Sequence, residues 1–373
     1  MSKINPFEVE GDIDYDRLIE EFGLQKIDDE ILNKFKQICD EKGIKLHFML
    51  RRKIFFAHRD LKKIFDEYEK GNEFFLYTGV GPSGPIHIGH LLVWSFTKWL
   101  QDLFDAELYF QFTDDEKFLF KDKSYEEIQK WLGDNMKEVA AVGFNPEKTN
   151  FIINTKHVGI LYPEAIKVAK KITFSTIKSA FGFNDSNNIG SIFYTAMQTV
   201  PAFLPSILKK KKMFCLIPHA VDQDPHFRIS RDIIPKLGFD KPASIQCSFL
   251  PPLEGNNGKM SSSTGAGIYA SDNEKEVKKK INKYAFSGGK NTLEEHRKYG
   301  GDPSIDIPFQ YLRYLFEEND EKLKELETKY KSGELLSGEL KKYTIDKINE
   351  FLKAHQERKE KINLDNFILK VWK

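Results

Sequence analysis

The stretch FFLYTGVGPSGPIHIGHLLVWSFTKWLQDLF, residues 74–104, decides the fold of this chain. It opens with an apolar run from Phe74 to Thr78, passes through a loop rich in glycine and proline, and ends in an amphipathic run from Leu91 to Phe104. A second apolar run, 108–112, follows directly. A strand, a Gly-rich turn, a helix and a strand within roughly forty residues predict the start of a parallel α/β sheet.

The sheet is expected to resume farther along the chain. Residues 120–212 show mainly helical periodicity, whereas 214–218 and 243–247 again have the composition of strands. We therefore predict an α/β fold with a Rossmann-like parallel-sheet catalytic domain at 71–270, carrying a helical insertion at about 120–212. Charged and apolar residues alternate at helical spacing on both sides of it, which predicts a helical N-terminal extension at 1–70 and an α-helical C-terminal domain at 271–373.

Composition narrows the class of protein without naming it. Among 373 residues, 57 Lys and Arg nearly cancel 56 Asp and Glu, so the net charge of +1 neither indicates nor excludes a nucleic-acid partner. Three isolated cysteines, Cys39, Cys215 and Cys247, suggest neither a disulfide framework nor a zinc ribbon. The acidic start resembles no signal or transit peptide, and no apolar run approaches the ~20 residues of a membrane span, so we expect a cytoplasmic enzyme without membrane contact.

The loop after the first strand indicates a phosphate site. GVGPSG, residues 79–84, matches the G-x-G-x-x-G pattern of dinucleotide-binding dehydrogenases, but the acidic residue expected on the second strand is only loosely met by Asp114 or Asp115. The continuation His87-Ile88-Gly89-His90 is more specific, because residues three apart share one face at the amino end of a helix. Two imidazoles and the helix dipole would then meet one phosphate group, and Gly89 would leave room for an adenine ring.

A second motif lies about 170 residues downstream in the Gly-, Asn- and Ser-rich segment 255–267. Lys259-Met260-Ser261-Ser262-Ser263 offers an amine and hydroxyls that could close over a phosphate chain. In this order the two motifs resemble the HIGH and KMSKS signatures of class I aminoacyl-tRNA synthetases, with Ser262 in place of the consensus lysine. Further segments, among them QFTDDEKFLF, IPHAVDQDPHFRISRD and AFSGGKNTLEEHRKYGG, resemble the tryptophanyl-tRNA synthetase family of eukaryotes and archaea.

The resemblance implies roles for individual residues. The indole N–H of tryptophan would be held by Tyr77 and Gln111, both of which can accept a hydrogen bond, and the ammonium group by Glu116, Gln198 and Gln223. His87, His90 and Lys259 would be catalytic. ATP would be bound by Gly79, Gly81, Pro82, Ser83, Gly89, Lys117, Met260, Ser261, Ser262 and Ser263. Val80 stands where eukaryotic members usually carry an arginine, so that contact is either absent or supplied by another residue such as Lys117.

The resemblance also implies the reaction and the partners. The carboxylate of L-tryptophan would attack the α-phosphorus of ATP, with Mg²⁺ shielding the leaving pyrophosphate, and the aminoacyl group would pass to tRNA(Trp). The enzyme would be a homodimer whose C-terminal domain binds the anticodon and whose last residues pack back on the catalytic domain. No protein ligand to a metal is assigned. A tyrosyl-tRNA synthetase, a nucleotidyltransferase of the same superfamily and an inactive synthetase-like RNA-binding protein stay open as alternatives.

Overall fold

The computed structural model describes residues 3–5, 8–10, 14–255 and 267–370. Its strands are β1 Lys3–Asn5, β2 Glu8–Glu10, β3 Gln25–Lys26, β4 Phe55–Arg59, β5 Phe74–Val80, β6 Glu107–Phe112, β7 Thr149–Ile153, β8 Phe214–Ala220 and β9 Ala243–Cys247. β1 and β2 pair as a separate antiparallel ribbon, and the other seven form one sheet in the order β3-β4-β9-β8-β5-β6-β7.

Helices cover both faces of this sheet and most of the chain beyond it. They are α1 Tyr15–Phe22, α2 Asp29–Lys42, α3 Phe48–Arg51, α4 Leu61–Glu69, α5 Ile88–Phe104, α6 Glu116–Phe120, α7 Tyr125–Ala140, α8 Val158–Ala169, α9 Phe174–Phe181, α10 Ile189–Thr199, α11 Leu204–Leu208, α12 Asp224–Ile233, α13 Glu274–Tyr284, α14 Leu293–Tyr299, α15 Ile307–Tyr311, α16 Asp320–Lys331 and α17 Ser337–Lys359. A single turn of π-helix, Leu312–Phe316, continues α15. In the part of the chain described, no helix is both long and apolar enough to cross a membrane.

The α/β fold predicted from residues 74–104 is confirmed. β5, β6, β7, β8 and β9 pair in parallel, and their apolar side chains alternate between two layers. Phe74 and Leu76 pack into the core on the α5 side, while Phe75 and Tyr77 pack into a second core with the helices that follow β7. Because both faces are covered, these strands are apolar throughout instead of alternating with polar residues.

The position of β5 fixes where a ligand can bind. The chain runs from β5 outward to β6 and β7, then returns to the other side of β5 to form β8 and β9. The direction of winding therefore reverses between β5 and β8. In open parallel sheets, ligands bind in the crevice beyond the carboxyl ends of the strands at such a reversal. Here those ends are Val80 and Ala220.

The segments for which the sequence indicated only helices contain five short strands: β1, β2, β3, β4 and β7. β4 belongs to the N-terminal extension, yet it pairs antiparallel with β9 and carries β3 at the edge of the sheet. β7 lies inside the expected helical insertion, yet it pairs in parallel with β6. β4 and β7 are each only five residues long and lie between helices, so the helical periodicity of the surrounding segments concealed them. The insertion that separates β7 from β8 is correspondingly shorter than 120–212.

The C-terminal helices end with a return to the sheet. The backbone amide of Phe151 in β7 donates to the carbonyl of Phe367 at 2.7 Å, and the amide of Leu369 donates to the carbonyl of Phe151 at 3.0 Å. The rings of Phe151 and Phe367 stack with centroids 5.0 Å apart. These contacts attach the end of the helical part to the outer edge of the parallel sheet.

Candidate active site

A cavity of about 920 Å³ opens at the carboxyl ends of β5 and β8, where the winding of the sheet reverses. Its wall is built from the loop after β5, the first turn of α5, α6, α10 and the segment after β8. Of the residues that the sequence assigned to a site, the following line it: Tyr77, Gly79, Gly81, Ser83, His87, Gly89, His90, Glu116, Lys117, Gln198 and Gln223. Pro82 and Gln111 are buried and are not among the lining residues. The described residues do not include Lys259, Met260, Ser261, Ser262 and Ser263.

The loop between β5 and α5 is fixed from the side of the insertion. Lys123 Nζ donates to the carbonyl of Ser83 at 2.6 Å, and Asn135 Nδ2 donates to the carbonyl of Gly84 at 3.0 Å. α5 then begins at Ile88, so His87 and His90 occupy the amino end of the helix, with ring centroids 3.9 Å apart. Two imidazoles and the positive end of a 17-residue helix therefore border the cavity together, an arrangement suited to an anion.

The segment that contains Lys259 is joined to this wall on both sides. Before it, Phe249 and Leu250 line the cavity. After it, the chain pairs with the histidine loop: the amide of Ile88 donates to the carbonyl of Ile268 at 3.0 Å, and the amide of Ala270 donates to the carbonyl of Ile86 at 2.8 Å. Residues 180 positions or more apart in the sequence are thus paired beside one cavity.

Tyr77 forms one end of a buried chain of hydrogen bonds. Its hydroxyl donates to Gln111 Oε1 at 2.6 Å and lies 3.3 Å from the carbonyl of Gln198. Burial raises the pKa of Tyr77 well above its usual value, so the hydroxyl stays protonated. Gln111 is fully buried and stands behind Tyr77 instead of facing the cavity. Its Nε2 donates to Asn154 Oδ1 at 2.8 Å, and Asn154 Nδ2 donates to Asp115 Oδ1 at 2.8 Å.

Glu116 places a negative charge on the wall of the cavity. Burial by itself would raise the pKa of this carboxyl, but the charge of Lys117 and hydrogen bonds from Lys117 and Thr113 outweigh burial and lower it. Lys117 Nζ lies 2.6 Å from Glu116 Oε1, and Thr113 Oγ1 donates to Oε2 at 2.8 Å. The carboxylate is therefore ionised at neutral pH and can hold a cation. Gln198 and Gln223 line the same cavity. The side-chain oxygen Oε1 of Gln198 accepts a hydrogen bond from the hydroxyl of Tyr194 at 2.9 Å.

Several lining residues had not been singled out from the sequence. Asp222, His226 and Tyr194 contribute to the wall, and burial lowers the pKa of His226 to about 4, so this imidazole is neutral at physiological pH. The sequence did contain a signal for Asp222 and His226. Polar residues cluster at 219–226, immediately after a buried strand, and the carboxyl end of a parallel strand is where site residues collect. Tyr194 lies on α10, far from either motif, and carried no such signal.

Comparison with known proteins gives a consistent result. Residues 69–353 match the family described as tRNA synthetases class I (W and Y). The chain is 49% identical over 359 residues to a tryptophan–tRNA ligase of Saccharolobus solfataricus, covering 96% of this chain and 92% of that protein. It is 44% identical over 386 residues to the cytoplasmic tryptophan–tRNA ligase of Saccharomyces cerevisiae, covering 98% and 88%. A tryptophanyl-tRNA synthetase of Encephalitozoon cuniculi bound to tryptophan superposes with a TM-score of 0.87 at 37% identity, covering 95% and 98%.

Proposed function

Because the chain belongs to the class I tRNA synthetases of the tryptophan and tyrosine family, we propose that it acts as a tryptophan–tRNA ligase whose cavity binds L-tryptophan and ATP together. The observation that carries this proposal is that groups suited to both substrates line one cavity: Tyr77 and Glu116 for the amino acid, His87 and His90 for the phosphates. Relatives named tryptophan–tRNA ligases, 44–49% identical over nearly the whole chain, favour tryptophan over the tyrosine alternative.

Tryptophan binds with its indole ring toward Tyr77 and its ammonium group toward Glu116. The phenol oxygen of Tyr77 accepts the indole N–H, because the hydroxyl hydrogen is already donated to Gln111. Gln111 thus acts from behind Tyr77, although the resemblance implied a direct contact. The ionised carboxylate of Glu116 and the side-chain oxygens of Gln198 and Gln223 together provide three acceptors for the three hydrogens of the ammonium group.

ATP binds along the loop between β5 and α5. Gly79, Gly81, Ser83 and Gly89 let the backbone approach the nucleotide, while His87, His90 and Lys117 supply donors and positive charge. The carboxylate of tryptophan attacks the α-phosphorus, a bond forms between them, and the bond to the bridging oxygen breaks to release pyrophosphate. Lys259 binds the phosphates as negative charge moves onto the leaving group. The neighbouring residues Met260, Ser261, Ser262 and Ser263 also bind ATP, and the three serines donate hydrogen bonds through their hydroxyl groups.

Mg²⁺ accompanies ATP in this scheme. In the described ranges, no group of three or more His, Cys, Asp or Glu side chains is arranged to hold a metal ion. Mg²⁺ commonly binds at nucleotide sites through phosphate oxygens and water, with one or two protein ligands. When bound, it would shield the charge of the leaving pyrophosphate.

The second step transfers the aminoacyl group to tRNA(Trp), for which the helical C-terminal part is the proposed anticodon-binding unit. Four lysine-bearing stretches are candidate phosphate contacts: Lys209–Lys212, Lys278–Lys280, Lys341–Lys342 and 353–361. Three of these stretches are partly neutralised: Lys209 pairs with Glu107 and Lys211 with Glu73, Lys280 pairs with Asp272, and Lys359 pairs with Asp134 and Glu138. The yeast relative is named as cytoplasmic, and we assign this chain to the same compartment.

We further propose a homodimer formed through the exposed face of α8. Val158, Tyr162 and Ile166 are each about half exposed, at 48%, 51% and 46%. They are spaced four residues apart, so they lie along one side of the helix. A contiguous apolar stripe of this kind on a folded chain is typical of an interface. In a twofold dimer the same stripe would meet itself.

The decisive test of the function is ATP–pyrophosphate exchange with each of the twenty amino acids. We expect exchange to depend on tryptophan and to be weak with tyrosine and phenylalanine. Exchange driven by tyrosine would replace the proposed substrate. Exchange with none of the twenty would favour the RNA-binding alternative.

The role of Lys259 is tested in the same assay. We expect Lys259→Ala to slow tryptophan-dependent exchange by about a hundredfold or more, as for removal of one preorganised donor to a developing charge. Lys36→Ala, which removes an exposed lysine on α2, serves as the control and should leave the rate unchanged. An unaltered rate in Lys259→Ala, with an unaltered thermal melting curve, would remove Lys259 from the mechanism.

A further inference from the structure

The hydrogen-bond chain that ends at Tyr77 crosses three neighbouring strands of the sheet. Tyr77 lies on β5, Gln111 on β6, and Asn154 directly after β7, while Asp115 precedes α6. The three bonds measure 2.6, 2.8 and 2.8 Å. Tyr77, Gln111 and Asn154 are at most 1% exposed, so no solvent competes for these groups.

The carboxylate at the far end sets the direction of every bond in this chain. Burial raises the pKa of Asp115 to about 6, with the bond from Asn154 acting in the opposite sense, so the group is mostly ionised at neutral pH and can only accept. Asn154 must therefore turn its NH₂ toward Asp115 and its oxygen toward Gln111. Gln111 must in turn donate to Asn154 and present its own oxygen to Tyr77.

The direction matters at the cavity. With Gln111 accepting, the hydroxyl hydrogen of Tyr77 points away from the substrate, and the phenol oxygen keeps its lone pairs for a donor. If both amides were reversed, Gln111 would donate to the same oxygen and compete with an incoming N–H group. A carboxylate separated from Tyr77 by two side chains thus decides whether Tyr77 is a strong or a weakened acceptor.

We propose that Asn154 and Asp115 are specificity-determining positioning residues, which make the pocket select a side chain with a ring N–H donor. This inference rests on the proposed function, since it takes the amino acid side chain to lie against Tyr77. Neither residue lines the cavity. Asn154 acts through Gln111 and Tyr77, and Asp115 acts through Asn154.

The test compares two substrates that differ in the relevant atom. Tryptophan and 3-(3-benzothienyl)alanine have nearly the same shape, but sulfur replaces the N–H group in the second. We would measure kcat/KM for both in ATP–pyrophosphate exchange at neutral pH. Asn154→Ala removes the partner of the Gln111 NH₂, and we expect the preference for tryptophan over the analogue to fall by about five- to tenfold, the effect of one buried hydrogen bond.

Asp115→Asn keeps the shape of the side chain while removing the carboxylate. Both amide orientations then become possible, so we expect a smaller loss of preference, about two- to fivefold. This isosteric variant carries the test on its own if Asn154→Ala does not fold. Thr155→Val is the matched control: Thr155 is adjacent to Asn154 but donates to Asp114, and its loss should leave the preference unchanged.

The outcomes separate this inference from the function on which it rests. A loss confined to tryptophan supports it. An equal fall in kcat/KM for both substrates would mean that Asn154 and Asp115 only support packing, which would overturn the inference. No change in kcat/KM for either substrate would overturn it as well. Wild-type protein that shows no tryptophan-dependent exchange would instead refute the proposed function.

Discussion

Gly79 near the end of β5 and Gly81 directly after that strand are required for different reasons. A Cβ atom on Gly81 would lie 2.6 Å from Glu116 Oε2 and 3.1 Å from Lys117 Cε, so the obstacle is a pair of side-chain ends. A Cβ atom on Gly79 would lie 2.6 Å from the backbone carbonyl oxygen of Gln111 on the adjacent strand. One glycine makes room for a binding group, and the other lets two strands lie side by side.

Substituting each glycine by alanine should therefore separate binding from stability. In Gly81→Ala the carboxylate of Glu116 must move, and we expect the KM for tryptophan to rise about tenfold as a charge-assisted bond is lost, with little change in the melting temperature. In Gly79→Ala the strands must shift, at a cost of about 1–3 kcal/mol. Tryptophan-dependent exchange and thermal unfolding of both variants provide the check. Equal losses of stability would contradict this division.

The sequence identified site residues where a motif, a strand end or the family resemblance marked them. Tyr77, His87, His90 and Glu116 follow or end predicted strands, and all four line the cavity. The contribution of Asn154 could not be anticipated, because it depends on the pairing of β6 with β7, and β7 had not been predicted. Gln111 was expected beside the substrate; its side chain is fully buried, bonds to Tyr77 and is not among the residues that line the cavity. The direction of a side chain on a buried strand depends on register, which two isolated apolar runs do not define.

At the scale of elements, a strand was predictable when its neighbour in the sheet was also near in sequence. β5, α5 and β6 form a consecutive unit, so the local pattern contained all of its partners. β4 has its partner β9 almost 190 residues away, and the segment around it is dominated by helical periodicity. The contact between α7 and α17 was equally unpredictable from local patterns, because it joins parts of the chain that had been assigned to different domains.

That contact centres on the buried carboxylate of Glu138. His355 Nε2 of α17 lies 2.6 Å from Glu138 Oε2 of α7, with both side chains at most 2% exposed, and Lys359 Nζ lies 2.5 Å from Glu138 Oε1. Burial would raise the pKa of Glu138, but hydrogen bonds from His355 and Lys359 outweigh it and lower the pKa. A carboxyl with a lower pKa in the folded state adds stability above its unfolded pKa, and this contribution disappears as the pH falls through the folded pKa.

Glu138→Gln should accordingly weaken the contact between α7 and α17 in a pH-dependent way. We expect a loss of about 3 kcal/mol in the free energy of unfolding at neutral pH, since a buried pair is broken. The difference from the wild type should shrink once the pH falls below about 4, where the carboxyl of the unfolded chain is protonated. Urea denaturation across this range measures both effects. Glu325→Gln, on exposed α16, is the control and should change nothing measurable. A pH-independent difference would contradict the assigned cause.

At the level of the whole molecule, α17 contacts two segments beside the cavity: α7, whose Asn135 lines it, and the chain at Ala270. Besides binding α7, it places Gln356 Nε2 at 2.8 Å from the carbonyl of Ala270 and 3.0 Å from that of Asp272. Ala270 in turn bonds to Ile86, just before the paired histidines. The C-terminal helical part, which its helical periodicity predicts to begin near residue 271, is therefore joined to the segments beside the cavity.

The proposed dimer is the other property that belongs to the whole molecule, and a single charge placed on α8 can test it. Tyr162 is at the centre of the stripe, and its ring centroid lies 5.9 Å from that of Phe193 on α10. In Tyr162→Glu a carboxylate would meet its own copy across a twofold axis, so we expect the mass measured by light scattering to fall from two chains to one at micromolar concentration. Tyr299→Glu introduces the same charge at a tyrosine that is 64% exposed on α14 and should leave the mass unchanged. A wild-type protein that is already a monomer, or a Tyr162→Glu variant that stays a dimer, would show that the stripe on α8 is not the interface.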